Sequence, residues 1–480
     1  MRHPATLAGA VAVALLPALL LPAAAGTAAG AEPALTSPAA VGPARPSAPI
    51  TARVAEHPEP PPVDMDLLPD GTPGALPGVR LGTACASTLK RLDPPATAPM
   101  LWGQRLFRLP ELWRGAGSKG DGIRLAVIDT GVNQHQLLAG RLIAGGDFVT
   151  GGNGLSDCDG HGTAVAGIAA AGLDRATGFA GVAPAADVIS IRQSSPSYTA
   201  TDAEDRQVSA GDTNTLAEAI VRAVELRASV INISEVNCSP PLTRPSALQA
   251  ALAYARSRDV VVVAAAGNTG TGDPHDCPQE PDTSTVVLPG WYDDDVLTVG
   301  AVGENGLPTG FSYPGPWVDV AAPGQRLASL AVGGVGVTDQ LNTVTSGGQA
   351  RPGYIDGTSF AAPAVAGLAV LIRARYPDLN AQQVVDRITA TASNPGHRDA
   401  RAGYGLVNPL AALVQRPEVL APPTASTEGT GTLALSPAPP PNRGRQGALW
   451  AGILALLAVV ATGILAVGKG RSNQPPHRRR

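Results

Sequence analysis

Five short runs along this chain are apolar and β-branched with almost no alternating polar face: residues 123–128, 187–191, 229–233, 260–265 and 296–302. Their length and composition predict strands, and the missing alternation predicts a sheet buried on both sides. Helical patterns fall between them. Residues 163–171 are small and apolar, and residues 215–227 place Leu216, Ile220 and Val224 one above another, with Ala217 and Val221 alongside. Residues 246–258 open with Ser246 and Gln249 at capping-box spacing and carry Leu248, Leu252 and Ala255 on one face. Strands separated by helices predict an α/β fold, a mostly parallel sheet with helices on both faces. A last apolar run of small residues, 361–371, follows Gly357-Thr358-Ser359 and predicts a buried helix with Ser359 in its first turn.

The two ends follow other rules. Met1-Arg2-His3, an apolar run over 7–21 and Ala23-Ala24-Ala25 form the three regions of a signal peptide, assigned to residues 1–31 with cleavage after Ala25, Ala29 or Ala31. Residues 447–467 carry no charge over a length that spans a bilayer, with Trp450 at the outer boundary. Lys469, Arg471, Arg478, Arg479 and Arg480 follow, so a transmembrane helix at 447–468 and a cytoplasmic tail at 469–480 are expected. Twelve prolines between 33 and 77 preclude a compact fold there, which makes residues 32–100 an extended arm, free or draped over the body. Residues 101–414 form the domain, and residues 415–446 a Pro-rich linker.

A net charge of −4 offers no basic field for nucleic acid. The four cysteines, Cys85, Cys158, Cys238 and Cys277, all lie in the exported part, where an even count predicts two disulfides with three pairings open. No C-x-x-C or clustered Cys/His spacing suggests a metal site, and no cofactor is expected.

Four positions carry candidate chemistry. Asp129 ends the first predicted strand, where ligands and catalytic groups gather in open α/β sheets. His161 is bracketed by Gly160 and Gly162 at a helix start, Asn268 follows Gly267 at a strand end, and Ser359 opens the late apolar helix. Singly, each also fits a cap, a turn or a satisfied core residue. In the order Asp, His, Asn, Ser they supply an orienting carboxylate, a base, an oxyanion donor and a nucleophile. The G-x-S-x-G elbow of lipases and esterases is absent around Ser359.

The motifs Val127-Ile128-Asp129-Thr130-Gly131, Gly160-His161-Gly162-Thr163, Ala265-Ala266-Gly267-Asn268 and Gly357-Thr358-Ser359-Phe360-Ala361-Ala362-Pro363 strongly resemble those of the subtilisin-like serine proteases. The resemblance covers residues 101–414 and implies a three-layer fold. With the arm, linker, span and basic tail, the chain resembles the mycosins, membrane-anchored proteases associated with type VII secretion in actinobacteria.

That resemblance implies a catalytic set of Asp129, His161 and Ser359, with Asn268 in the oxyanion hole and no metal. It implies substrate binding along Ser234, Glu235, Val236 and Gly267. Glu235-Val236-Asn237 replaces the family's common Leu-Gly-Gly, so a narrow cleft favouring small or basic side chains is expected. The family arrangement sets Cys238 and Cys277 at neighbouring strand ends, which pairs Cys238–Cys277 and leaves Cys85–Cys158. The arm is then a permanent clamp rather than a folded inhibitory propeptide. Residues 194–215 and 341–352 are expected as inserted loops that gate the cleft or meet a partner. The implied partners are protein or peptide substrates, the type VII secretion membrane complex and the membrane, on whose outer side the domain would work. The alternative role is a mainly structural component of that complex.

Overall fold

The computed structural model describes residues 57–87, 91–92, 101–270, 277–344 and 350–415. The predicted signal peptide, linker, transmembrane helix and tail lie outside the described residues, apart from the linker's first position.

Seven parallel strands form the central sheet: β1 (Arg124–Asp129), β2 (Leu142–Asp147), β3 (Asp187–Arg192), β4 (Val230–Ile233), β5 (Val261–Ala265), β6 (Leu297–Val302) and β7 (Val318–Pro323). Their order is β7-β6-β5-β4-β1-β3-β2. Each predicted strand run is found within a residue or so. The two outer strands carry no comparable signal: β2 contains Gly145-Gly146 and a register shift there, and β7 ends in a proline.

Side chains sort by the strand period of two. Leu125, Val127, Val261 and Val263 enter one core, whereas Ala126, Ile128, Val262 and Ala264 enter the other. Helices α1 (His161–Ala170) and α4 (Thr358–Arg375) cover the first face, and α2 (Thr213–Glu225) and α3 (Ala247–Ser257) cover the second. Among the described residues, α4 is the one helix with the length and apolarity of a membrane span, yet it is 83% buried within the domain. Its apolar surface all round is that of a central core helix.

Helix starts follow their caps. Asp212 accepts from the Asn214 and Thr215 N–H groups, and Thr215 closes a full capping box. Ser246 accepts from Gln249 N–H, but the Gln249 side chain does not return the bond. It donates to Pro61 O at 2.6 Å instead and ties the arm to α3. Trp291 Nε1 holds Pro58 O at 2.9 Å, and Leu76 N–H reaches Val149 O at 3.0 Å. The described part of the arm is thus draped over the domain, held through the carbonyls of Pro58, Pro61 and Pro77, which proline retains, and through the N–H groups of Leu76, Gly82, Thr83 and Ala86.

Residues 194–215 and 341–352 are hairpins rather than the expected loops. Ser195–Thr201 pairs with Gln207–Ala210, and Gln340–Val344 with Ala350–Tyr354. The first becomes a three-stranded sheet because Arg80–Leu81 of the arm adds to it, a partner more than 100 residues upstream that local composition does not announce. Both disulfides form as expected, Cys85–Cys158 with Cα atoms 4.5 Å apart and Cys238–Cys277 at 5.2 Å.

Candidate active site

Strand order reverses around β1, and its carboxyl end therefore opens into a crevice. Asp129 stands there, fully buried. Its Oδ1 accepts from Thr130 N–H at 2.8 Å and lies 2.8 Å from His161 Nδ1. That contact fixes the imidazole ring and leaves Nε2 free to act.

The close approach depends on glycine. A Cβ on Gly162 would meet Gly131 O at 2.1 Å and Asp129 Oδ1 at 3.0 Å, and Gly131 itself adopts φ +99°. Only this pair lets the start of α1 press against the end of β1.

A second buried carboxylate builds the turn that carries His161. Asp157 accepts from Gly160 N–H at 2.7 Å, Thr163 N–H at 2.8 Å, the Thr163 hydroxyl at 2.6 Å and the Thr130 hydroxyl at 2.8 Å. It caps α1 from a position ahead of Gly160 and links the helix to the residue after Asp129. Burial pushes its carboxyl up to about 6, against the hydrogen bonds from Thr163. Sequence reasoning missed Asp157; the signal was an Asp six residues before a helical Thr, an unusual distance for a cap.

On the other side of the crevice, Asn268 Oδ1 accepts from Thr358 N–H at 3.0 Å and lies 3.2 Å from the Thr358 hydroxyl. A backbone donor can face only the amide oxygen, so the Asn268 NH₂ group is turned the other way. It points toward the turn at Gly357, whose added Cβ would sit 3.5 Å from Nδ2. Gly267 N–H donates to the Thr358 hydroxyl at 3.1 Å, which makes fully buried Thr358 a second residue that sequence reasoning did not single out.

Ser359 is the second residue of α4, not its cap; the cap position is Gly357. Pro363 lies four residues on and has no N–H to give the Ser359 carbonyl. Ser234 fills that vacancy, its hydroxyl donating to Ser359 O at 2.7 Å while accepting from Asn232 Nδ2 at 2.8 Å. The Ser234 side chain is therefore buried behind the turn, and the neighbouring Glu235 and Val236 are half-buried. Phe360 packs its ring 5.0 Å from that of His161, which brings the start of α4 beside the imidazole.

Burial opposes a charged His161, yet Asp129, by charge and hydrogen bond, and then Glu235 outweigh it and push the imidazole up to about 9. Asp129, His161 and Glu235 place a nitrogen and two oxygens within 4.8 Å of one another. Two carboxylates thus stand beside one imidazole, and one of them, Asp129, is hydrogen-bonded to it.

These features, an Asp-His pair, a helix-borne Ser and an amide turned to its side, are those of acyl transfer. Residues 120–405 match the model of the subtilase family, Peptidase_S8. The chain is 41% identical to Mycosin-4 of Mycobacterium tuberculosis, over 87% of this chain and 94% of that protein. The chain belongs to the mycosins, within the subtilase family. Among solved structures, the MycP3 protease from the type VII (ESX-3) secretion system is 38% identical, with a TM-score of 0.65 over 75% of this chain and all of that one. A chain of the intact ESX-5 inner membrane complex is 34% identical, with a TM-score of 0.65 over 86% of this chain and 99% of that one. As a mycosin, the protein is a subtilisin-like serine endopeptidase.

Proposed function

We propose that Ser359 is the nucleophile of this endopeptidase, His161 its base and Asp129 the group that orients and stabilises the imidazolium. The observation that carries this is the 2.8 Å contact between Asp129 Oδ1 and His161 Nδ1, beside the N-terminal turn of α4. In the reaction, Ser359 Oγ attacks the scissile carbonyl and its proton passes to His161, which returns it to the leaving amine. The developing oxyanion is met by the Asn268 amide and the Ser359 N–H, at the positive end of α4. Backbone at Ser234, Glu235 and Val236, with Gly267 opposite, lines the substrate, and the Glu235-Val236 pair narrows the cleft. Purified protein should cut a peptide library, and Ser359→Ala should abolish cutting; retained turnover in that variant would overturn the assignment.

We infer a layout of signal peptide, clamping arm, catalytic domain at 101–414, linker, membrane helix and cytoplasmic tail, under which this chemistry would work outside the cell at a membrane. Support comes from the relatives described as parts of ESX secretion systems, whose membrane complex and secreted substrates would be the partners. A second role, structural support of that complex, is favoured by the likeness over 86% of this chain to a component of the ESX-5 inner membrane complex. Comparing Ser359→Ala with a full deletion separates the two. Secretion that survives the substitution and fails in the deletion assigns the structural role.

A further inference from the structure

We propose that Glu235 is a positioning residue for His161: the two side chains share a proton, and Glu235 sets the pH at which the imidazole becomes free to act as base. This deepens the catalytic assignment above and rests on His161 being the base.

The geometry comes first. Glu235 follows the carboxyl end of β4, and its carboxylate, a His161 ring nitrogen and an Asp129 oxygen lie within 4.8 Å of one another. Its Oε2 accepts the hydroxyl of Ser194, which precedes the Ser195–Thr201 strand. The other titratable groups acting on the pair are Asp129 at the end of β1, and Asp157 and Asp159 in the turn ahead of α1. Asp159 is held by the Ser195 hydroxyl and by Ser197 N–H at 2.9 Å. From α4 come Ser359 and Phe360, neither of which titrates in the working range. The cluster thus holds Asp129, Glu235 and Asp157 near the imidazole, with Asp159 acting on Glu235.

Two neighbouring carboxylates do not both ionise cheaply in a buried site. Asp129 already accepts from Thr130 N–H and lies 2.8 Å from His161 Nδ1. Glu235 is left as the group that carries a proton: burial first, then Asp129, push it up to about 8. One proton on the Glu235–His161 pair can therefore sit in two ways with the same net charge. With the proton on Glu235, His161 is neutral and competent; with it on His161, Glu235 is an anion that holds the imidazolium in place. Such a pair titrates as a unit. The proton that leaves Ser359 Oγ during attack still goes to His161 and then to the leaving amine. Glu235 takes no part in that transfer.

The experiment measures kcat/KM against pH for full-length protein in detergent, on a peptide without ionisable side chains. Removing the carboxylate in Glu235→Gln should move the acidic limb to lower pH by about 1 unit, the low end of what a charge at this range does. The position of the limb, not the height of the alkaline plateau, is the readout, because Glu235 also lines the cleft. Ser194→Ala should move the limb the same way by less, because the lost hydroxyl favoured the ionised carboxylate. Glu235→Asp should keep the limb near its wild-type position, and it controls for folding alongside a melting curve of each variant. Superimposed limbs in wild type and Glu235→Gln would overturn the proposal. So would an unchanged limb together with altered KM on a second, Lys- or Arg-containing peptide, which would make Glu235 a specificity residue. Wild-type protein inert at every pH would instead indict the catalytic assignment.

Discussion

On the wall of the crevice that carries Ser359, position is set by neutral groups. Thr358 locks Asn268, Ser234 meets the carbonyl that Pro363 leaves without a donor, and α4 is buried on all sides. On the wall that carries His161, position is set by charge: Asp129, Asp157 and Glu235 act on one imidazole, Asp159 acts on Glu235, and a disulfide and an arm-paired hairpin lie beside them. The neutral wall gains its order from packing and short hydrogen bonds, which change little with pH. The charged wall holds its acids close only because burial and shared protons keep some of them neutral. In the proposed mechanism the nucleophile needs a fixed place and the base a tunable one, and the two walls divide along that line.

Substitutions that spare shape but change charge test the division most sharply. Asp129→Asn should lower kcat by about 10⁴-fold, because the amide favours the wrong imidazole tautomer. Steady-state kinetics would show it, with the melting temperature nearly unchanged. On the neutral wall, Asn268→Ala should lower kcat by about 10²–10³-fold with KM little altered, the signature of a donor engaged only in the transition state. An effect shared equally between kcat and KM would place Asn268 in ground-state binding instead.

The clamp gives smaller effects, confined to one wall. Replacing Cys85 and Cys158 together by Ser should lower unfolding free energy by at most about 4 kcal/mol in the chain-entropy model for a loop of 73 residues. Hydrogen exchange should quicken in the turn at 157–163, beside Cys158, while the start of α4 keeps its protection. Gln249→Ala removes one arm contact and should cost about 1 kcal/mol, read from denaturant midpoints, without touching kcat.

How much of this was legible in the sequence also differs between the walls. The Ser359 side was the more legible, because Gly267-Asn268 and Gly357 to Pro363 carry Asn268, Ser359 and the missing N–H in two short motifs, although the Thr358 lock was not singled out and Ser234 reaches Ser359 O across 125 residues. On the His161 side, the motifs supplied Asp129 and His161 but not the partners. Asp157 contacts groups on both sides of Gly160, Ser194 reaches Glu235 across 41 residues, and Arg80–Leu81 completes a hairpin that begins at Ser195. Those meetings are made by tertiary folding, and no local period encodes them. Glu235 was noticed as a departure from Leu-Gly-Gly and read as a pocket residue; that its carboxylate also lies close to the Asp129–His161 pair is announced by no local pattern. The outer strands β2 and β7 were lost for a plainer reason, since their glycines and proline erase the strand pattern.

The central claim is that Ser359 is activated by the charged wall opposite it, and covalent labelling tests this without any knowledge of the substrate. A fluorophosphonate probe, applied to wild type, Ser359→Ala and Asp129→Asn, should label wild type rapidly, Ser359→Ala not at all, and Asp129→Asn orders of magnitude more slowly. Labelling that persists in Ser359→Ala, or that proceeds at the wild-type rate in Asp129→Asn, would contradict the account.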